Sequence, residues 1–77
     1  MNDIGEIVRF HRSKSGLSQS ELARISGVGK TVVFDIEKGK QTIRLSTLIK
    51  ILDTLNIKIS LTSPLMNLYL KEKNEKS

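Results

Sequence analysis

The sequence predicts a mostly α-helical domain of four to five helices with one C-terminal strand, on three observations. Apolar residues recur at three- and four-residue intervals from position 4 to position 55, which is the repeat of a helical face. The stretches are punctuated by Gly16, Gly27, Gly39 and Asn56, residue types that stop helices. Over residues 57–62 the repeat changes to two, which is the repeat of a strand.

In the first helix, Ile4, Ile7, Val8 and His11 fall on one face, with Asp3 as N-cap and Gly16 as stop. Leu17 leads into Ser18-Gln19-Ser20-Glu21, a capping box that opens a second helix over 19–26. Gly29 occupies the cap position of a third helix over 30–38, with Val33 and Ile36 turned inward. After a loop at 40–44, a fourth helix over 45–55 carries Leu45, Leu48, Ile49, Leu52 and Leu55 on one face. In the strand, Ile57, Ile59 and Leu61 alternate with Lys58, Ser60 and Thr62. Ser63 as N-cap and Pro64 at the first helical position start a short helix to about Leu70. Residues 71–77 are charged, lack apolar side chains and are expected to fray. No internal repeat or linker divides the chain, so residues 1–63 read as the domain and 64–77 as a short helix with a tail.

Seventy-seven residues make one domain at most, and a chain this short commonly leans on a partner subunit. With no cysteine and one histidine, disulfides and thiolate or histidine-cluster metal sites are excluded. No apolar run approaches the roughly 18 residues of a membrane span, and the acidic N-terminus is not a signal peptide. A cytoplasmic location is expected, the nucleoid when bound to DNA. The net charge of +5 favours a polyanionic partner. Enzymatic residues are not apparent: there is no nucleophile–base pair and no carboxylate pair in a cleft. Gly29-Lys30-Thr31 lacks the strand and the earlier glycine of a phosphate-binding loop, since position 24 is Arg24. No enzyme activity, metal or cofactor is expected.

The informative segment is 19–37, two short helices joined by the tight turn Gly27-Val28-Gly29. Ala23 is small where the helices cross. Gly27 permits a positive φ. Leu22, Val28, Val33 and Ile36 fill the wedge between the helices. In Leu17-Ser18-Gln19, Glu21-Leu22-Ala23, Gly27-Val28, Val33, Ile36-Glu37 and Gly39 the chain resembles the Cro/repressor (XRE) helix-turn-helix family. The resemblance spans about 4–55 and implies a Cro/lambda-repressor-like fold. Ser26 departs from it, because that position is usually apolar, and a small loss of packing is expected there.

The resemblance implies that the third helix enters the major groove of double-stranded DNA. Gly29, Lys30, Thr31 and Phe34 would then meet the bases, with Lys30 suited to guanine O6 and N7 and Thr31 to either hydrogen bonding or a thymine methyl. Phe34 fits two roles, pressing on a thymine methyl or sugar, or serving as an outlying core or interface residue. Gln19 and Ser20 at the start of the second helix, and Lys38, Lys40 and Gln41 after the third, are the phosphate candidates. Lys14, Lys50 and Lys58 read as solvated surface. Arg12 and Glu37 stand where the family pairs an arginine with a glutamate, so a partly buried structural ion pair is expected, costing about 3–5 kcal/mol if one side is removed. His11 on the apolar face reads as a core histidine with one satisfied nitrogen.

A lone strand leaves its backbone groups unpaired. Antiparallel pairing of Ile57, Ile59 and Leu61 with a two-fold mate resolves this and suits a homodimer on a palindromic operator. Residues 1–63 would thus be the DNA-binding and dimerisation domain. The layout resembles the HipB-like antitoxins, closest in Gly5-Glu6-Ile7-Val8-Arg9, in residues 27–33 and in residues 35–40. That resemblance implies a repressor that autoregulates its operon and binds a HipA-type serine/threonine kinase toxin. The alternative is a stand-alone or phage-type repressor. Leu65, Leu68 and Tyr69, one face of the last helix, would either pack on the dimer's own strands or fourth helix or dock on such a partner.

Overall fold

The computed structural model describes residues 3–76, and among them five helices follow one another: α1 (Asp3–Lys14), α2 (Gln19–Ser26), α3 (Lys30–Glu37), α4 (Leu45–Thr54) and α5 (Met66–Lys76). Helix α1 opens at Asp3 itself, and the cap expected of that side chain lies outside the described residues. The capping box of α2 is complete. Ser18 Oγ accepts from the Glu21 amide (3.1 Å), and Glu21 Oε1 accepts from the Ser18 amide (2.8 Å).

The first four helices end alike. The amide of Gly16, Gly27, Gly39 or Asn56 donates three residues back, and the next amide donates five residues back, at 2.9–3.2 Å. The pivot residue has a φ of 74°, 74°, 94° and 62° respectively. This double closure satisfies carbonyls that a helix end leaves open. After α1, α2 and α4 the following residue is Leu17, Val28 or Ile57, and each packs on the core. After α3 it is Lys40, so the chain leaving α3 stays polar.

The core consists of Val8, Leu22, Ala23, Val33, Ile36, Ile51, Leu52 and Leu55. Close helix packing joins α1 to α3, α2 to α3 and α2 to α4. The wedge is built as the sequence predicts, with Leu22, Val33 and Ile36 buried and Val28 packed against them. Two faces differ from expectation. On α1 only Val8 enters the core, while Ile4 and Ile7 stay exposed and His11 is half-buried, its Nδ1 donating to the Ile7 carbonyl (2.7 Å). The backbone of α1 at Gly5 lies against α3, so the buried face runs through Gly5, Val8 and Arg12. On α4 the buried side is Leu48, Ile51, Leu52 and Leu55, and Leu45 and Ile49 are left exposed. Six apolar residues in eleven positions give this helix two possible faces, and periodicity alone does not choose between them. Ser26 costs no packing contact in the way expected. Its hydroxyl donates to Thr54 Oγ1 (2.9 Å), which donates to the Lys50 carbonyl (2.9 Å), a polar tie between α2 and α4.

Residues 57–62 are not a strand. A strand exists by its ladder, and no described segment of this chain pairs with them. Of the predicted inward trio, Ile57 packs on the core, whereas Ile59 and Leu61 are 52% and 77% exposed. The last helix also differs. It starts at Met66 after a turn at 64–65 and continues through the charged residues to Lys76, well beyond Leu70. Lys71, Glu72, Lys73 and Glu75 are good helix formers, and Lys71 and Glu75 stand four apart with opposite charge. Leu65, Leu68 and Tyr69 are 69%, 53% and 56% exposed, and α5 is not among the closely packed helix pairs. The molecule measures 45 × 25 × 23 Å with a radius of gyration of 15.3 Å, against about 11–12 Å for a compact chain of this length. No helix among the described residues is long and apolar enough to cross a membrane.

Candidate nucleic-acid interface

Helix α3 buries Val33 and Ile36 and half-buries Val32. At 100° per residue, this turns Thr31, Phe34 and Lys38 to the opposite side and Lys30 to its flank, and all four are exposed. Gly29 precedes them as N-cap with an extended backbone (φ −63°, ψ 149°) and no side-chain cap. The helix thus presents an ammonium, a hydroxyl with its methyl, and an aromatic ring to solvent on one surface. The Lys38 ammonium sits 5.1 Å from the centre of the Phe34 ring.

Behind this surface lies the network that holds it. Arg12 Nε donates to Glu37 Oε2 (2.6 Å) and Nη2 to Oε1 (3.0 Å), a two-point pair, while Nη1 donates to the Leu17 carbonyl (2.8 Å). Gln19 Nε2 donates to Glu37 Oε1 (3.1 Å). One carboxylate therefore ties α1, the start of α2 and the end of α3 together. The two charged side chains are only 14% and 5% exposed. Burial pushes the Glu37 carboxyl upward, but hydrogen bonds from Arg12 and Gln19 and the charges of Arg12 and Arg9 outweigh it and leave it below the usual carboxylate range. The Arg12 guanidinium is raised above its ordinary value, chiefly by its hydrogen bonds to Glu37.

The phosphate candidates are placed unequally. Ser20 is exposed in the first turn of α2, and Gln41 is exposed in the loop after α3. The Gln19 side chain is engaged with Glu37, so it acts in the clamp. Lys40 is half-exposed and reaches Asp35 at 3.6 Å, a loose pair of little energetic weight. Arg9, which the sequence reading passed over, lines a hollow of ≈ 270 Å³ with Arg12, Gln19, Phe34, Glu37 and Lys38. Its position one helical turn before Arg12 was the available signal. Among the described residues no cluster of acidic or histidine side chains could hold a metal ion. The exposed side of α3 offers hydrogen-bond donors, positive charge and one ring.

Comparison with known proteins gives the same part of the chain. A helix-turn-helix family model matches residues 9–61. An uncharacterized HTH-type transcriptional regulator, y4mF, of Sinorhizobium fredii is 39% identical over 62 residues, which cover 80% of this chain and 82% of that protein. The control protein C.SmaI of Serratia marcescens is 38% identical over 56 residues, 73% of this chain and 67% of that protein. The capping box, the turn at Gly27, the packed wedge and the two relatives agree: the chain belongs to the XRE-type helix-turn-helix family, whose members are DNA-binding transcription regulators.

Proposed function

We propose that this protein is a sequence-specific transcriptional repressor that binds a palindromic operator as a homodimer, with α3 in the major groove. The observation that carries the reading is the outward face of α3, where Lys30, Thr31, Phe34 and Lys38 are exposed while the Arg12–Glu37–Gln19 clamp fixes the helix from behind. A rigidly held helix with donors on its free side is what base reading requires. The names of the two relatives, a transcriptional regulator and a control protein, support a regulatory role.

Lys30 is the base reader and Lys40 a phosphate contact. Lys30→Ala should cost about 1–3 kcal/mol on the selected operator and relax preference at one position per half-site, while Lys40→Ala should weaken every sequence alike. If each subunit neutralises about three or four phosphates, the dimer's log–log salt slope is roughly −5 to −7. Fluorescence anisotropy on operator and random duplexes measures both. A slope near zero, or equal losses on both duplexes for both variants, defeats the reading.

A second reading adds a partner. The HipB-like resemblance makes the protein an antitoxin that also binds a HipA-type kinase toxin, and the exposed Leu65, Leu68 and Tyr69 row favours some further contact. A tagged chain should then bring down a serine/threonine kinase from its host. Recovery of operator DNA without a kinase leaves the stand-alone repressor.

A further inference from the structure

We propose that Phe34 selects the operator by reading a methyl group: its ring packs on the C5-methyl of a pyrimidine in the major groove. This deepens the operator-binding reading above and rests on it. Phe34 is 46% exposed and is not among the apolar residues packed against the core, so the ring is not a displaced core residue. Its neighbours on the free face of α3 are Lys30, Thr31 and Lys38, a surface chemically suited to a polyanion. The Lys38 ammonium, 5.1 Å from the ring centre, restrains the ring and places positive charge beside it.

The polar groups deeper in the adjoining hollow are already engaged. Both Glu37 oxygens accept hydrogen bonds, three Arg12 nitrogens donate, and the Gln19 amide donates to Glu37. Arg9 and Lys38 also line this hollow and supply positive charge, so the apolar contribution of this part of the surface is the Phe34 ring. In the major groove only a C5-methyl, carried by thymine or by 5-methylcytosine, presents an apolar group on a base edge. A ring with the Lys38 ammonium beside it can meet that methyl while the charge faces a neighbouring phosphate.

The test uses the full-length protein and an operator selected from a random duplex library. Each thymine is replaced in turn by 2′-deoxyuridine, which removes the methyl and leaves pairing intact. At one thymine per half-site, the substitution should weaken binding by about fourfold, the worth of burying one methyl-sized group. Substituting both half-sites together should give about fifteenfold. Phe34→Ala should bind thymine and uracil duplexes equally, and Phe34→Leu, which keeps an apolar contact, should retain part of the difference. Melting of the variants checks that the fold persists. Selection of half-sites without a uridine-sensitive thymine overturns the inference, as does a uridine penalty unchanged in both variants, with operator binding itself left standing. Failure to select any sequence over random DNA overturns operator binding and this inference together.

Discussion

Glu37 is the residue on which three helices converge, and its chemistry makes a pH prediction. Its carboxyl accepts from Arg12 at two points and from Gln19 at one, and its pKa in the folded protein lies below the ordinary carboxylate value. A carboxyl depressed by folding contributes stability that is fully present above its unfolded pKa, roughly 4.3. That contribution is lost as pH falls from there through the lower folded pKa. The wild type should therefore lose stability on acidification below about pH 4.3, and Glu37→Gln should show a shallower dependence over the same window. At neutral pH the variant should be less stable, by less than the roughly 3–5 kcal/mol for breaking a fully buried pair, since this pair is partly buried and glutamine keeps a hydrogen bond. Urea denaturation at a series of pH values measures both, and parallel pH dependences would remove the pair from the stability of the fold. Arg12 and Glu37 were legible as a pair from family resemblance. Gln19 was not legible as its third member, because a phosphate contact and a clamp call for the same amide at the same helix start.

At the scale of elements, the crossing of α1 over α3 sets where the free face of α3 points. Gly5 makes that crossing possible. A methyl group on it would run into the Ile36 carbonyl oxygen, with the Glu37 Cα and carbonyl oxygen at 3.3 Å. All of these are backbone atoms, so no side-chain rotation relieves the collision and the helices must part. Overpacking of this kind costs about 1–3 kcal/mol and occasionally more, against at most about 1 kcal/mol gained from replacing a helical glycine by alanine. Gly5→Ala should lower Tm in thermal denaturation and weaken operator binding with it. An unchanged or raised Tm would mean that the two helices are not held this closely. The same crossing explains why the inward face of α1 was misread. Apolar periodicity marks side chains, and a helix packed through a glycine buries a position that carries none. Helix ends were read better, since Gly16, Gly27, Gly39 and Asn56 each close a helix as their positions imply. Neither the strand at 57–62 nor fraying over 71–76 is found among the described residues of the single chain. Alternation and charge describe a local preference, whereas a strand needs a ladder partner, which for 57–62 would be a second copy, and lysine and glutamate favour helix by intrinsic propensity.

At the scale of the whole molecule, the body and the C-terminal segment follow different physics. The body buries its core around Leu22, Val33 and Ile51, while Ile59, Leu61, Leu65, Leu68 and Tyr69 are all more than half exposed. Helix α5 is not among the closely packed helix pairs, and the molecule is longer than a compact chain of its size. So much apolar surface on one short segment is unfavourable in an isolated chain and favourable in an interface. A second copy can cover it symmetrically, as the homodimer reading requires. The expectation is that truncation after Ser63 leaves a monomeric body. The first four helices should persist by circular dichroism, because none of the core residues is removed. Sedimentation should shift to the monomer. The wild type's Tm should rise with protein concentration and that of the truncated chain should not. Operator affinity should fall by far more than the loss of the tail's few positive charges would produce, since two half-sites would no longer be bound as one unit. A truncated chain that remains dimeric and keeps its operator affinity would instead remove the Leu65, Leu68 and Tyr69 row from the dimer contact, which would then fall to the retained Ile59 and Leu61 or to the exposed Leu45 and Ile49 edge of α4.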